Sequence, residues 1–117
     1  MPVPELVYKI ATAELAGEAA RTGVVAGMPV DRADGYVHLS TAAQLPATLA
    51  LHFRGQRDLV LFAVRTAALG DALRFEPSRG GDLFPHLYAP LAMAAVAHQA
   101  GIAVAADGAC PLPEWVQ

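Results

Sequence analysis

The run from Asp58 to Arg65, Asp-Leu-Val-Leu-Phe-Ala-Val-Arg, constrains the fold more than any other stretch. It is continuously apolar and bounded on both sides by charged or polar residues. A strand without a polar face must be covered on both sides, so this one belongs in the middle of a sheet. Leu6 to Ile10 supplies a second strand. Thr12 can cap a helix over Ala13 to Thr22, which Gly23 ends. On that helix Leu15, Ala16 and Ala19 face inward, and Glu14, Glu18 and Arg21 face out. Val24 to Ala33 contains Gly27 and Pro29 and reads as a loop.

Thr41 can start a second helix, with Gln44 as its capping-box partner. Leu45, Leu49 and Phe53 follow at helical spacing, Pro46 predicts an irregular first turn, and Gly55 ends the helix. Thr66 to Gly70 reads as one helical turn. Ala72 to Glu76 reads as a strand with Leu73 and Phe75 on one face and Arg74 and Glu76 on the other. Residues 77–82 form a loop. A further strand is expected around Ala94 to Gln99, before a proline-rich tail whose Trp115 docks on the body. Strands and helices mix without a regular βαβ alternation, so the chain is predicted to be a compact α+β fold, one domain over residues 1–117.

Composition narrows the function. The chain is 55% hydrophobic and 16% charged, with a formal net charge of −3 and no block of Lys or Arg. That favours a folded protein and argues against an extended nucleic-acid surface. An anionic small molecule needs only one or two local arginines and stays open. The single cysteine, Cys110, excludes an intramolecular disulfide and a multi-cysteine zinc site, and fits a reducing compartment. No secretory leader and no membrane-spanning segment is read, so the expectation is a soluble cytoplasmic protein.

The candidate chemistry lies in two stretches. In Asp34-Gly35-Tyr36-Val37-His38-Leu39-Ser40-Thr41 a turn leads into a β-prone run. If extended, Val37 and Leu39 face one way and Tyr36, His38 and Ser40 the other. Phe84-Pro85-His86-Leu87-Tyr88 repeats the arrangement, with His86 and Tyr88 sharing a face. Each histidine can line a pocket, or sit in the core bonded to a backbone carbonyl. Ser40 and Thr41 can bind a ligand or cap the helix. Arg79-Gly80-Gly81 can form an anion-binding nest or a flexible turn. The four histidines, His38, His52, His86 and His98, have no metal-ligand spacing, and no metal site is expected.

Together with Tyr8-Lys9-Ile10, Arg74-Phe75-Glu76 and the strand from Asp58 to Val64, these two motifs resemble the domain-of-unknown-function 952 family over nearly the whole chain. That family comprises small bacterial cytoplasmic proteins associated with the ADP-ribosyltransferase-like superfamily. The resemblance implies a pair of small antiparallel or mixed sheets with two helices, packed around a nicotinamide-dinucleotide cleft. It implies catalytic roles for His38, His86 and Glu76. Tyr36, Ser40, Thr41, Arg74, Arg79, Phe84 and Tyr88 would be ligand contacts, with Arg74 or Arg79 meeting phosphate. NAD would be a substrate rather than a resident cofactor, and the reaction would fall on an ADP-ribosyl or 2′-phosphate group. No acidic residue stands in the superfamily's third-motif position, which favours the alternative of a non-catalytic module that binds a nucleotide, another small molecule or a partner.

Overall fold

The computed structural model describes residues 3–116. As the apolar run requires, β4 (Leu59–Arg65) is the middle strand of a three-stranded sheet, between β1 (Leu6–Thr12) and β8 (Val96–Ile102). All its ladders are antiparallel. Leu59, Leu61 and Ala63 point to one core, with Tyr8, Ile10 and the helix α3 (Leu45–His52). Phe62 and Val64 point to the other, with Val7 and Ala11. A strand buried on both faces has no room for polar side chains, which is why its sequence shows no alternation.

The second core is shared with another antiparallel three-stranded sheet, ordered β3 (Val37–His38), β6 (Leu83–Leu87), β5 (Leu73–Pro77). Val37, Leu73, Phe75 and Leu87 face this core. The helix α1 (Ala13–Thr22) covers it through Leu15, Ala16 and Ala19. Thr12 caps α1 as expected, its hydroxyl accepting from Leu15 N at 3.2 Å. A short ladder of β2 (Val24–Val25) with β7 (Leu91–Ala92) completes the strands.

Three α-helices are present among the described residues, where the sequence suggested two. The extra one, α2 (Pro29–Asp34), lies in the stretch read as a loop. Pro29 occupies its first turn, where a missing N–H costs nothing, so the residue that argued against structure here starts a helix. The Thr41–Gln44 capping box forms: Thr41 N donates to Gln44 Oε1 at 3.0 Å and Gln44 N to Thr41 Oγ1 at 3.3 Å. Pro46 delays regular helix to Leu45. The last strand begins two residues later than expected and runs to Ile102. Trp115 docks between Tyr8 and His98, at 6.4 and 5.2 Å between ring centroids.

Pro85 shapes the junction between the sheets. In an antiparallel pair, a residue's N–H and C=O point to the same neighbour. Leu39 N donates to Pro85 O at 3.0 Å, so the proline's missing N–H also faces β3. The β3–β6 ladder stops there. The next residue, Ser40, instead exchanges both backbone hydrogen bonds with Tyr8 of β1, at 2.8 and 2.9 Å. The chain crosses between sheets at Leu39-Ser40, with His38 beside the crossing.

Candidate active site

The polar face of the second sheet carries most of the residues singled out from the sequence. His38 stands opposite His86, and His86 opposite Arg74, across β3, β6 and β5. Glu76 stands opposite Phe84. Period-two alternation puts Tyr36 and Tyr88 on the same face. The Tyr36 ring lies 4.6 Å from that of His38, 4.2 Å from His86 and 5.2 Å from Tyr88. The Arg74 guanidinium sits 4.8 Å from the Tyr88 ring centre, a cation–π contact.

His86 is 3% exposed. Its Nδ1 is 2.9 Å from Glu76 Oε1, which also accepts the Tyr88 hydroxyl at 2.6 Å. The Tyr88 hydroxyl first, and the His86 imidazole second, hold the Glu76 carboxyl below its ordinary range. The same bond pushes the Tyr88 phenol up. An ionised carboxylate only accepts, so Nδ1 must carry the proton. In the neutral ring that leaves a bare lone pair on Nε2, which is buried and has no hydrogen-bond partner among the described residues.

His38 is held differently. Its Nδ1 lies 2.7 Å from Asp31 Oδ1 and its Nε2 lies 2.9 Å from Asp34 Oδ2, so both nitrogens are engaged. Asp31, 4% exposed, is the hub of this half of the site. It accepts from Lys9 Nζ at 2.7 Å, Met28 N at 2.7 Å, His38 N at 2.8 Å and the His38 ring. Burial pushes the Asp31 carboxyl up, but the Lys9 charge and these hydrogen bonds outweigh it and hold the group below the ordinary carboxylate range. Burial pulls the Lys9 ammonium down, against the opposing pull of Asp31.

A cleft of about 560 Å³ opens where the sheets diverge, between β1, β6, α3 and the start of α2. His38, Ser40, Phe84 and His86 line it, with Lys9. Ile10, Met28, Leu39 and Phe53 give it apolar walls. Tyr36 and Tyr88 border a shallower groove of about 390 Å³ beside Asp31. Arg74, Glu76 and Thr41 do not line the cleft: Arg74 packs on Tyr88, Glu76 holds His86, and the Thr41 hydroxyl serves its cap. The Arg79 side chain lies outside the described residues. Among the described residues no group of three or more ligating side chains could hold a metal ion, and no helix is long and apolar enough to cross a membrane.

Sequence reasoning missed Lys9 and Asp31 as site residues. The signal for Lys9 was a lone charge between Val7 and Ala11 on the core face of β1, directly opposite Phe62. Such a charge requires a buried counter-charge. Asp31 follows Pro29 at the third helical position, where a carboxylate can reach back to the helix's first N–H groups.

No curated protein matches this sequence significantly. Among solved structures, the crystal structure of protein CC0527 from Caulobacter crescentus is 44% identical, covers 91% of this chain and 93% of that one, and superposes with a TM-score of 0.85. A crystal structure of a double mutant of that protein is 42% identical over 91% of this chain and 93% of that one, with a TM-score of 0.84. Its solution NMR structure is 45% identical over 90% of each chain, with a TM-score of 0.79. Residues 10–99, which include Asp31, both histidines and Glu76, match the model of the family described as "Protein of unknown function (DUF952)", and the chain belongs to that family.

Proposed function

We propose that the protein binds a nucleotide-type small molecule in the cleft between β1 and β6, with His86 at its floor. One observation carries this reading: a buried imidazole whose Nδ1 is fixed by Glu76 and whose Nε2 has no partner among the described residues. A buried polar atom without a partner costs on the order of 1–3 kcal/mol, so a ligand that satisfies it recovers that energy on binding. The apolar walls suit a ring, and Ser40 suits a polar group beside it. The resemblance to ADP-ribosyltransferase-like proteins makes NAD, ADP-ribose and 2′-phosphorylated nucleotides the first candidates. In an enzyme of that class His86 and Glu76 would move a proton at the ribosyl group.

The second reading is binding without turnover, in an otherwise unchanged cleft. Its support is the lining itself. Among the described residues the carboxylates that contact cleft-lining side chains, Asp31, Asp34 and Glu76, are tied to Lys9, His38, His86 and Tyr88, and none of the three lines the cleft. An oxocarbenium-like state formed there would meet no free carboxylate.

The test is an amide NMR titration with NAD, ADP-ribose and a 2′-phosphorylated nucleotide, followed by a turnover assay with whichever binds. Shifts clustered in residues 35–41 and 84–88 and lost in a His86→Phe variant are expected. Absence of any shift at millimolar ligand would overturn the nucleotide reading. Tight binding with no product would select the second reading.

A further inference from the structure

The cleft is built to read a particular polarity. Lys9 is 3% exposed and lines the cleft beside His38. An ammonium carries three donors. Two of them are used, on Asp31 Oδ2 at 2.7 Å and His38 O at 3.3 Å. The third has no partner among the described residues. His86 Nε2 in the same cleft offers the opposite function, a bare acceptor. The cleft-lining residues therefore hold one unpartnered acceptor and one unused donor, both buried.

Charge decides what can fill them. Asp31 already balances the Lys9 charge at contact distance, and Asp34 and Glu76 stand behind the two histidines. Among the described residues no arginine lines the cleft, and a phosphate brought to Lys9 would meet a charge that Asp31 already balances. A fully ionised phosphate also has no O–H to donate to Nε2. We propose that the cleft floor selects an uncharged hydroxyl-bearing group, such as the diol of a sugar, one hydroxyl donating to His86 Nε2 and another oxygen accepting from Lys9 Nζ, and that any phosphate of the ligand stays outside. This rests on the binding function proposed above and specifies which part of the ligand is buried.

The experiment uses the unmodified protein labelled with ¹⁵N, because removing Lys9 leaves a buried carboxylate unpaired and endangers the fold. Long-range ¹H–¹⁵N spectra at neutral pH report whether each His86 ring nitrogen is protonated, and ammonium-selective spectra report Lys9. Adenosine and adenosine 2′-monophosphate are the probes, with NAD as a third arm. Expected are a free-state His86 with protonated Nδ1 and bare Nε2, shifts of both Nε2 and Lys9 Nζ with adenosine, and binding of the 2′-phosphate weaker by about tenfold or more, the order of magnitude for the approximately 1.4 kcal/mol of one unfilled hydrogen bond. A protonated Nε2 in the free protein, or equal or tighter binding of the 2′-phosphate, would overturn the inference and leave nucleotide binding standing. No response to any probe, NAD included, would overturn both.

Discussion

His38 and His86 face each other across adjacent strands with ring centroids 5.6 Å apart, yet their nitrogens are used in opposite ways. Both nitrogens of His38 are spent on Asp31 and Asp34. Only one nitrogen of His86 is spent, on Glu76. The pair looks symmetrical in the sequence but divides into a structural and a chemical member.

That division predicts different phenotypes. His86→Phe keeps a ring packed against Tyr36 and removes the buried lone pair, so ligand-induced shifts should vanish while the urea midpoint moves little. His38→Gln deprives Asp31 of a charged-group hydrogen bond and should cost about 1.5–3 kcal/mol of stability, with the cleft still able to bind. Urea unfolding and ligand titration on both variants check it; equal stability losses with equal binding losses would remove the division.

Asp31 is expected to be the most sensitive polar position. Asp31→Asn leaves the Lys9 ammonium buried without a counter-charge, and breaking a buried pair from one side costs about 3–5 kcal/mol. The companion change Lys9→Met together with Asp31→Leu removes both charges and should recover most of that loss. Chemical denaturation of the wild type and of these variants decides whether the charge or the shape of the site is what matters.

The same carboxylate makes stability depend on acid. Lys9 and the hydrogen bonds hold Asp31 below its ordinary value of 3.8, so the unfolded state binds the proton more readily than the folded state. Its contribution is therefore complete above pH 3.8 and is lost as pH falls through the lower folded value. Urea midpoints measured downward from pH 5 should fall more steeply for the wild type than for Asp31→Asn.

How far this site could be read from the chain depended on where the information sat. The alternation of Tyr36, His38 and Ser40 against Val37 and Leu39 placed the site's face, because a one-sided strand carries its orientation in its sequence. The position of β4 was legible for the opposite reason, since it has no polar side. The hub was not legible. Asp31 lies in a six-residue helix with no long apolar period, after Gly27-Met28-Pro29, and only Pro29 at its start announced it. The brevity of β3 was hidden because its cause, Pro85, lies in another strand. The role of Glu76 was half visible: parity placed it beside Arg74, whereas its bond to His86 required the β5–β6 register.

Gly108 offers a test of how the tail is held over α3. Its φ is 91°, a conformation that strains any other residue, and an added Cβ would lie 2.9 Å from Ala50 Cβ and 3.2 Å from Ala50 Cα, both on a helix that cannot yield. Gly55 shares the positive φ, at 78°, but a Cβ there meets open space. Gly55→Ala should therefore cost only the left-handed penalty of about 1–2 kcal/mol. Gly108→Ala should cost that plus overpacking of about 1–3 kcal/mol, and should loosen the segment that carries Trp115 to Tyr8. Since Tyr8 also lines the cleft, the Gly108 variant should broaden or shift the amides of Tyr8 and Ser40, and the Gly55 variant should leave them in place. Thermal melts and amide spectra of the two variants, measured side by side, separate backbone strain from the packing of the tail. Equal losses would mean that the contact with Ala50 contributes nothing.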